Sequence, residues 1–289
     1  DKINEYIYYC KNNQIRILPP NVNVSELEFT VHGTDINFGL LAIKNLGKGV
    51  ILKIIEERQA HGNFVSLPDF CQRMYGKEVN KRAIESLIQS GAFDDFPHNR
   101  HEMMNSYERI VEEIDEIKRK NIEGQMNLFA MGAQQQIDYT VSSVAEYPAA
   151  QLLAMEKETV GLYVSGHPLD EVPQTIQTHQ IITFMQTEEH DLHQLEGKPV
   201  RFLGVIQRLK VMNTRNQTKM ALIQLEDKTS SIEAVVFAKV YTKSQQFLKE
   251  GNIILVAGRL SIRDEQVPRL VCENICDLDS LGELTLEEP

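Results

Sequence analysis

The chain has 289 residues, of which 42% are hydrophobic and 25% are charged, so it has the composition of a globular protein with room for two or three domains. No run of 18 apolar residues occurs, which excludes a membrane-spanning helix, and Asp1 stands first, so we expect no signal peptide and a fragment of a longer chain. The net charge is −11, but residues 197–275 hold thirteen Lys and Arg against seven Asp and Glu, so the overall sign does not exclude a nucleic acid as partner.

The first part of the chain predicts a helix over residues 3–10 and then a strand around Ile15 and Ile17. Pro19-Pro20 stops any further helix, because proline lacks the N–H that a helix needs. An unusual string follows at residues 19–25, which read PPNVNVS, and it leads to Phe29.

Residues 36–58 predict two short helical runs joined by a tight turn at residues 45–49. Apolar residues recur at helical spacing on both sides of the turn, namely Leu40, Leu41, Ile43 and Leu46 before it and Val50, Ile51, Ile54 and Ile55 after it. The glycines permit a sharp turn, and a second helix starting at about Gly49 directs its free N–H groups and positive dipole end out of it. We therefore predict a phosphate-binding turn. Its candidate contacts are Lys44, Gly47, Lys48, Gly49 and Val50; the alternative is an ordinary helical corner with a glycine cap.

A second region of this kind is predicted over residues 80–91, where a helix capped by Asn80 ends at Ser90-Gly91. The candidate phosphate contacts are Lys81 and Arg82 at the helix start and Ser90 and Gly91 at the turn. The alternative for the two basic residues is a solvated helix face.

The pattern of residues 100–120 predicts an acidic amphipathic helix. We expect it to pack against the two helix–turn–helix hairpins predicted at residues 36–58 and 80–91. Its apolar stripe consists of Met103, Met104, Tyr107, Ile110, Val111, Ile114 and Ile117. The pattern then breaks, and residues 121–148 have the composition of a linker.

An apolar pair stands in this polar linker, within Gln125, Met126, Asn127, Leu128 and Phe129. The string is similar to the Q-x-x-L-F peptide by which bacterial DNA polymerases bind the sliding clamp. The glutamine carboxamide suits a small polar pocket, and the Leu-Phe pair suits an apolar one. The alternative is a hydrophobic staple onto the preceding helix.

After a predicted helix at residues 149–159, the string SGHPL at residues 165–169 contains His167, which has no paired carboxylate or nucleophile in the sequence and is expected to be structural. From residue 197 the pattern changes to five strands with a short helix between the third and fourth, which is the order of an OB-fold. The candidate contacts to a single strand are Arg208, Lys210, Arg215 and Lys219. Phe202 and Phe237 could stack on bases, but for both we expect the barrel core.

These strings, in this order, resemble the bacterial DNA polymerase III alpha subunit family. In that family a proline-asparagine-serine string leads into FGL-x-x-IK-x-(L/V)-G, which stands here at residues 38–47. Three further strings also match the family, namely "SLPDFCQR…VNKRAIESLIQSGAFD", "EKE-x-x-G-x-Y-x-SGHPL" and "GVI…MALIQLED…IEAVVF". The resemblance covers nearly the whole chain, and the position of the OB domain after the hairpins distinguishes it from a related Gram-positive polymerase family.

The resemblance implies an α+β multidomain fold with a tandem helix-hairpin-helix domain and a five-stranded OB barrel. The expected order is the end of the fingers region (1–33), the hairpin domain (34–118), the clamp-peptide linker (119–147), a connector (148–196), the OB domain (197–276) and an acidic tail (277–289). The expected partners are duplex and single-stranded DNA, the sliding clamp and other replisome subunits, in the cytoplasm at the nucleoid, with no membrane contact.

No catalytic site is predicted in this chain. Two-metal phosphoryl transfer needs clustered carboxylates, and the only adjacent aspartates, Asp94-Asp95, follow a hairpin helix where capping explains them. We expect Mg²⁺ in the parent polymerase and no cofactor here. Histidine spacing indicates no metal site, and the four cysteines, Cys10, Cys71, Cys272 and Cys276, predict reduced cytoplasmic thiols. The alternatives are a free-standing repair factor that combines hairpins with an OB fold, or an OB domain that binds protein.

Overall fold

The computed structural model describes residues 6, 7, 9, 10, 13–76, 79–122, 143–173, 196–261 and 268–278. The chain divides into two compact units. One unit, Gln14–Ser165, is called the hairpin unit below. The other, Asp1–Asn13 with Gly166–Pro289, is called the barrel unit.

The hairpin unit opens with a small sheet of β1 (Ile17–Leu18), β2 (Thr30–His32) and β3 (Asp35–Asn37), in the order β1-β3-β2. The first helix predicted for the first hairpin is therefore wrong. In its place β3 is followed by a single 3-10 turn, Leu40–Ala42. The backbone at Gly39 is extended, with φ −78° and ψ 140°, and it runs so close to Glu28 that a Cβ at Gly39 would be 2.5 Å from the Glu28 carbonyl carbon.

The described part of the hairpin unit also contains the helices α1 (Lys48–His61), α2 (Leu67–Met74), α3 (Lys81–Gln89), α4 (Arg100–Ile122) and α5 (Ala149–Val160). The predicted stripe of α4 is confirmed, since it packs against α2 and α3. Its buried members are Met103, Tyr107, Ile110, Val111 and Ile114.

The barrel unit contains β4 (Pro199–Asn213), β5 (Lys219–Glu226), β6 (Ser231–Val236), β7 (Ile253–Ser261) and β8 (Arg269–Asp277), with α6 (Ala238–Ser244) after β6. The strands close into a barrel in the order β4-β5-β6-β8-β7, with β6 parallel to β8. This order confirms the predicted OB-fold. The tight turn between β5 and β6 is held by Asp227, whose Oδ1 accepts hydrogen bonds from the backbone of Thr229 at 2.7 Å and Ser230 at 2.9 Å.

Residues 166–173 cover one outer strip of the barrel. Leu169 and Val172 pack on Leu203 and Val205 of β4. His167 Nδ1 accepts a hydrogen bond from the Leu169 amide at 3.1 Å, while the His167 amide donates to Asp170, which caps the short 3-10 turn of this segment. The structural role predicted for His167 is confirmed.

The four cysteines are all free thiols. Burial raises the pKa of Cys71 and of Cys272 to about 12, and burial together with Asp277 raises the pKa of Cys276 to about 11. These three thiols therefore stay protonated and unreactive near neutral pH.

Candidate nucleic-acid interface

The start of α1 is open to solvent. The helix begins at Lys48, one residue earlier than predicted, and its N-cap is Gly47, which carries no side chain to accept the first amide protons. Those amides have no acceptor within the helix. Nothing lies within 4 Å of where a Cβ on Gly47 would be, and Gly49 is exposed as well. An anion can therefore approach the helix dipole directly.

The turn before α1 is held in place by hydrogen bonds to α3 and α5. Asn45 adopts a left-handed conformation with φ 64°, and its side-chain amide donates to the Ser86 hydroxyl at 3.0 Å. The amide of Lys44 donates to the carbonyl of Thr159 at 2.8 Å, so α5 also supports the turn. The turn is thus a pre-shaped element, because its shape is set by contacts on the side away from solvent.

Two lysines beside this turn carry unpaired charge. Lys44 and Lys48 are exposed, and neither forms an ion pair with a carboxylate in the part of the chain that the structure describes. Lys48 stands in the first turn of α1, where a positive charge opposes the helix dipole, and no acidic residue stands there. A bound anion would relieve that repulsion.

The second hairpin differs from the first. At the start of α3 the Asn80 side chain already accepts the amide of Ala83 at 2.9 Å, as predicted for its cap. Lys81 Nζ lies 3.4 Å from Glu112 Oε1, and Arg82 is exposed without an ion-pair partner among the described residues. This helix start is therefore less open to a phosphate than that of α1.

Ser90 and Gly91 are not placed as the sequence suggested. Ser90 is fully buried and its hydroxyl donates to the Leu87 carbonyl at 3.0 Å. Gly91, with φ 81°, lies against the guanidinium of Arg100, where any side chain would clash. Because both residues face the interior, a phosphate contact by either of them is not supported.

The adjacent aspartates serve the fold. Asp94 accepts two hydrogen bonds from Arg100, at 2.8 and 2.7 Å, and Asp95 accepts one from the Asn21 side chain at 2.5 Å. These two partners, rather than the helix capping that the sequence suggested, account for the aspartate pair.

The predicted clamp peptide, Gln125–Phe129, lies outside the described residues, but the chain is described up to Ile122 before it and from residue 143 after it. Helix α4 ends at Ile122, and residues 144–147 are hydrogen-bonded to the start of the same helix. Glu146 accepts hydrogen bonds from the amides of Arg100 at 2.9 Å and His101 at 3.0 Å, which caps α4. The two attachment points are about 33 Å apart, since α4 rises 1.5 Å per residue.

The Glu102 carboxylate holds this attachment at Val144. Its carboxylate accepts the Val144 amide at 3.1 Å and lies 3.2 Å from His98. The Val144 hydrogen bond is the main cause that lowers the pKa of Glu102 below its ordinary value. A carboxylate with a lowered folded pKa contributes stability above its unfolded pKa of about 4.3 and loses it as pH falls through the folded value.

We therefore expect the Val144 amide to exchange faster with solvent as pH falls below about 4, relative to its intrinsic rate. Glu102→Gln keeps the shape of the side chain but removes its charge. In this variant the Val144 amide should therefore exchange faster than in the unmodified chain already at pH 6. Amide hydrogen exchange followed by mass spectrometry measures both. Equal protection in the two proteins at pH 6 would contradict this role of the Glu102 charge.

In the barrel unit the four candidate cations are all exposed. In the strand register, Arg208 of β4 lies opposite Gln224 of β5 and Lys210 lies opposite Leu222, on the outer side of the barrel. Arg215 stands in the loop between these strands, and Lys219 is the first residue of β5. None of the four has an ion-pair partner among the described residues. Within the described residues they therefore present positive charge without direct ion pairs, and a carboxylate contact on this stretch comes from Glu250, which accepts the Leu209 amide at 2.9 Å.

The two phenylalanines are placed differently. Phe202 is fully buried in the barrel core, as predicted. The core position predicted for Phe237 is wrong, because its side chain is 51% exposed. Inward residues of β6 alternate up to Val236, which pairs with Ala221, so the next residue faces out.

Two family models match the chain. The model described as a helix-hairpin-helix motif matches residues 14–103, and the model of an OB-fold nucleic acid binding domain matches residues 200–278. Over almost the whole chain the similar proteins are DNA polymerase III alpha subunits. That of Borreliella burgdorferi is 36% identical over 287 residues, which are 98% of this chain and 25% of the relative.

The chain is a homologue of part of the bacterial DNA polymerase III alpha subunit. The alpha subunit of Bacillus subtilis is 33% identical over 97% of this chain, and that of Escherichia coli K12 is 30% identical over 98%. In each case the match covers about a quarter of the relative. The resemblance to the alpha subunit family in the sequence is thereby confirmed. Among the helices that the structure describes, none is long and apolar enough to cross a bilayer.

Proposed function

We propose that this chain is the non-catalytic C-terminal part of a bacterial replicative DNA polymerase alpha subunit. The hairpin unit holds duplex DNA by its backbone, the peptide Gln125–Phe129 tethers the enzyme to the sliding clamp, and the barrel binds single-stranded template. Nucleotide addition with Mg²⁺ belongs to parts of the polymerase outside this chain, which works in the cytoplasm with nucleoid DNA and other replisome subunits. The observation that carries the proposal is the open, glycine-capped start of α1 within the region that matches the helix-hairpin-helix model.

The hairpin contact is directed at phosphates. The amide groups of Lys48, Gly49 and Val50 offer donors with the positive end of the helix dipole behind them, and Lys44 and Lys48 add two unpaired charges. None of these groups identifies a base, so the contact suits any duplex sequence. Lys81 and Arg82 of the second hairpin are weaker contacts in this proposal, because Asn80 occupies the amides at their helix start.

The clamp tether is supported by the position of its peptide. Both flanks are attached to α4, so the peptide belongs to the unit that holds the duplex, and a clamp encircles a duplex. The string Gln125–Phe129 supplies one polar and two apolar groups in the order that such a pocket takes.

The barrel contact with a single strand is supported by Arg208, Lys210, Arg215 and Lys219, which are exposed and without ion-pair partners among the described residues. A free-standing repair factor is disfavoured, since polymerase alpha subunits match 98% of the chain. A protein-binding barrel remains the second candidate, because part of the outer barrel surface is apolar and not covered by the described chain.

A crossed pair of variants tests the assignment. We expect Lys44→Ala/Lys48→Ala to weaken duplex binding and to lower the slope of log K against log salt concentration by about 2, because two phosphate contacts are removed. Arg208→Ala/Lys210→Ala should leave that slope unchanged and lower the slope for a single strand by about 1.4. Fluorescence anisotropy with labelled duplex and oligothymidine, between 50 and 200 mM salt, measures both.

Lys81→Ala/Arg82→Ala serves as the matched control, with two exposed or half-exposed cations removed from the second hairpin, and should lower the duplex slope by less than 1. Equal slopes for all three variants and the unmodified chain would contradict the hairpin assignment. A barrel that binds no oligothymidine even at 50 mM salt would favour the protein-binding alternative.

A further inference from the structure

The outer surface of the barrel has two apolar strips, and only one is covered by the described chain. Residues 166–173 cover the strip on β4 and β7 with Leu169 and Val172. The other strip runs from the end of β4 across β5 and β6 to β8, and is called the open strip below. It consists of Met212, Met220, Leu222, Val235, Phe237 and Val271.

Strand register places these residues in rows. Met212 pairs with Met220, and Phe237 stands one residue beyond the pair Ala221 and Val236, so it continues the row of Met220. In the next row Leu222 pairs with Val235, which pairs with Val271. Neighbouring strands are about 4.8 Å apart, so each row is a continuous apolar band. Phe237 is the most exposed member, at 51%.

The charge around the open strip is positive. Lys210 borders the second row, Lys219 precedes Met220, and Lys239 follows Phe237 by two residues; all three are exposed, and none has an ion-pair partner among the described residues. Glu233 of β6 and Glu273 of β8 each lie 2.8 Å from an arginine, which neutralises their charge. The surface therefore matches a partner that is anionic and also has flat apolar faces.

We propose that Phe237 is a base-stacking platform for single-stranded nucleic acid, with Lys219 and Lys239 beside the phosphates on either side of the stacked base. This inference rests on the proposed single-strand binding of the barrel and names a residue and a strand path beyond the four cations given above. The strand crosses the outer face from β4 towards α6 rather than staying on the loop between β4 and β5.

The position of Phe237 explains how the barrel selects single strands. Stacking on an exposed ring is open to every base, because every base has a π face. In a duplex both faces of each base are already occupied by neighbours. A ring on a rigid strand end therefore adds affinity for unpaired bases alone, whereas the surrounding lysines attract both forms of DNA.

The test uses the full chain and two ligands, labelled dT12 and a twelve-residue strand in which every position is abasic. We expect Phe237→Ala to weaken dT12 binding about 10-fold, which corresponds to about 1.4 kcal/mol, and to change binding of the abasic strand less than 2-fold. Phe237→Leu should resemble alanine, since it keeps an apolar side chain but has no ring. Phe237→Trp should bind dT12 at least as well as the unmodified chain, and its fluorescence should be quenched by dT12 but not by the abasic strand.

The outcomes separate this inference from the proposed function. If the unmodified chain binds dT12 and Phe237→Ala binds it equally well, the barrel contacts a single strand but Phe237 is not its platform. Equal loss on both strands would also overturn the inference, because it would indicate a disturbed backbone contact or fold. If the unmodified chain does not bind dT12, the proposed function of the barrel fails first. Unchanged thermal unfolding of each variant checks that the barrel is intact.

Discussion

Arg100→Ala should lower the free energy of unfolding of the hairpin unit by about 3–5 kcal/mol, the range found when one partner of a buried ion pair is removed. Arg100 is 4% exposed and Glu156 is 1% exposed. The guanidinium donates to Asp94 at 2.7 Å, to Glu156 at 3.1 Å and to the Gln89 carbonyl at 3.3 Å. Burial lowers the pKa of Arg100, but the hydrogen bonds and charges of Asp94 and Glu156 outweigh it, so the pKa is raised overall.

The expected loss of unfolding free energy is large because Arg100 supplies the positive charge beside the buried carboxylate of Glu156. The other oxygen of Glu156 accepts the amides of Val164 at 3.0 Å and Ser165 at 2.9 Å, which fixes the chain after α5. Without the guanidinium a carboxylate would be left buried with no cation beside it. The variant would also open a cavity beneath Gly91.

Urea unfolding followed by circular dichroism measures the effect. The control is Arg109→Ala, which removes an arginine from the same helix whose Glu113 partner is 3.9 Å away and exposed, and should cost less than about 0.5 kcal/mol. Arg100→Ala/Glu156→Gln should recover part of the loss, since the unpaired charge is then absent. A loss for Arg100→Ala as small as that for Arg109→Ala would contradict the buried network.

Clamp binding should fall at least about 30-fold in Leu128→Ala/Phe129→Ala, because large side chains that fill a pocket dominate such interfaces. The two residues are the apolar part of the proposed tether, and truncating both leaves the pocket unfilled. Surface plasmon resonance with an immobilised bacterial clamp measures the change.

The matched control for the tether is Met126→Ala/Asn127→Ala, which changes the same number of residues at the two unspecified positions of Q-x-x-L-F. Its affinity should stay within about 3-fold of the unmodified chain, because truncation of most interface residues costs less than 1 kcal/mol. If both double variants bind as the unmodified chain does, the peptide is a staple and the tether proposal is withdrawn.

The sequence predicted those parts of the fold that depend on local pattern. Asn80 and Ser90-Gly91 bounded α3, the apolar stripe identified α4, and the strand–helix order identified the barrel. The outward position of Phe237 was also readable, since Ile232, Ala234 and Val236 alternate inward and the next residue must face out. It was missed because a large aromatic residue in a strand was assumed to be core.

Other features depend on contacts between distant residues and could not be predicted in this way. The strand at Ile36 and Asn37 forms because it pairs with β1 and β2, although its residues continue a helical pattern. The burial of Gly91 follows from its contact with the guanidinium of Arg100, whose partner Glu156 is 56 residues away. The connector predicted for residues 148–196 is divided, because the chain up to Ser165 belongs to the hairpin unit.

Residues 144–147 return to the start of α4. The segment between Ile122 and residue 144 is therefore an insertion within one domain and not a bridge between two domains. Its length can therefore vary without changing the covalent path from the hairpin unit to the barrel. An extended chain covers at most about 3.5 Å per residue, so about ten residues are needed to run the length of α4. Residues 123–142 are twice that number. Under the proposed tether, this surplus length limits how far from α4 a clamp bound to Gln125–Phe129 can lie.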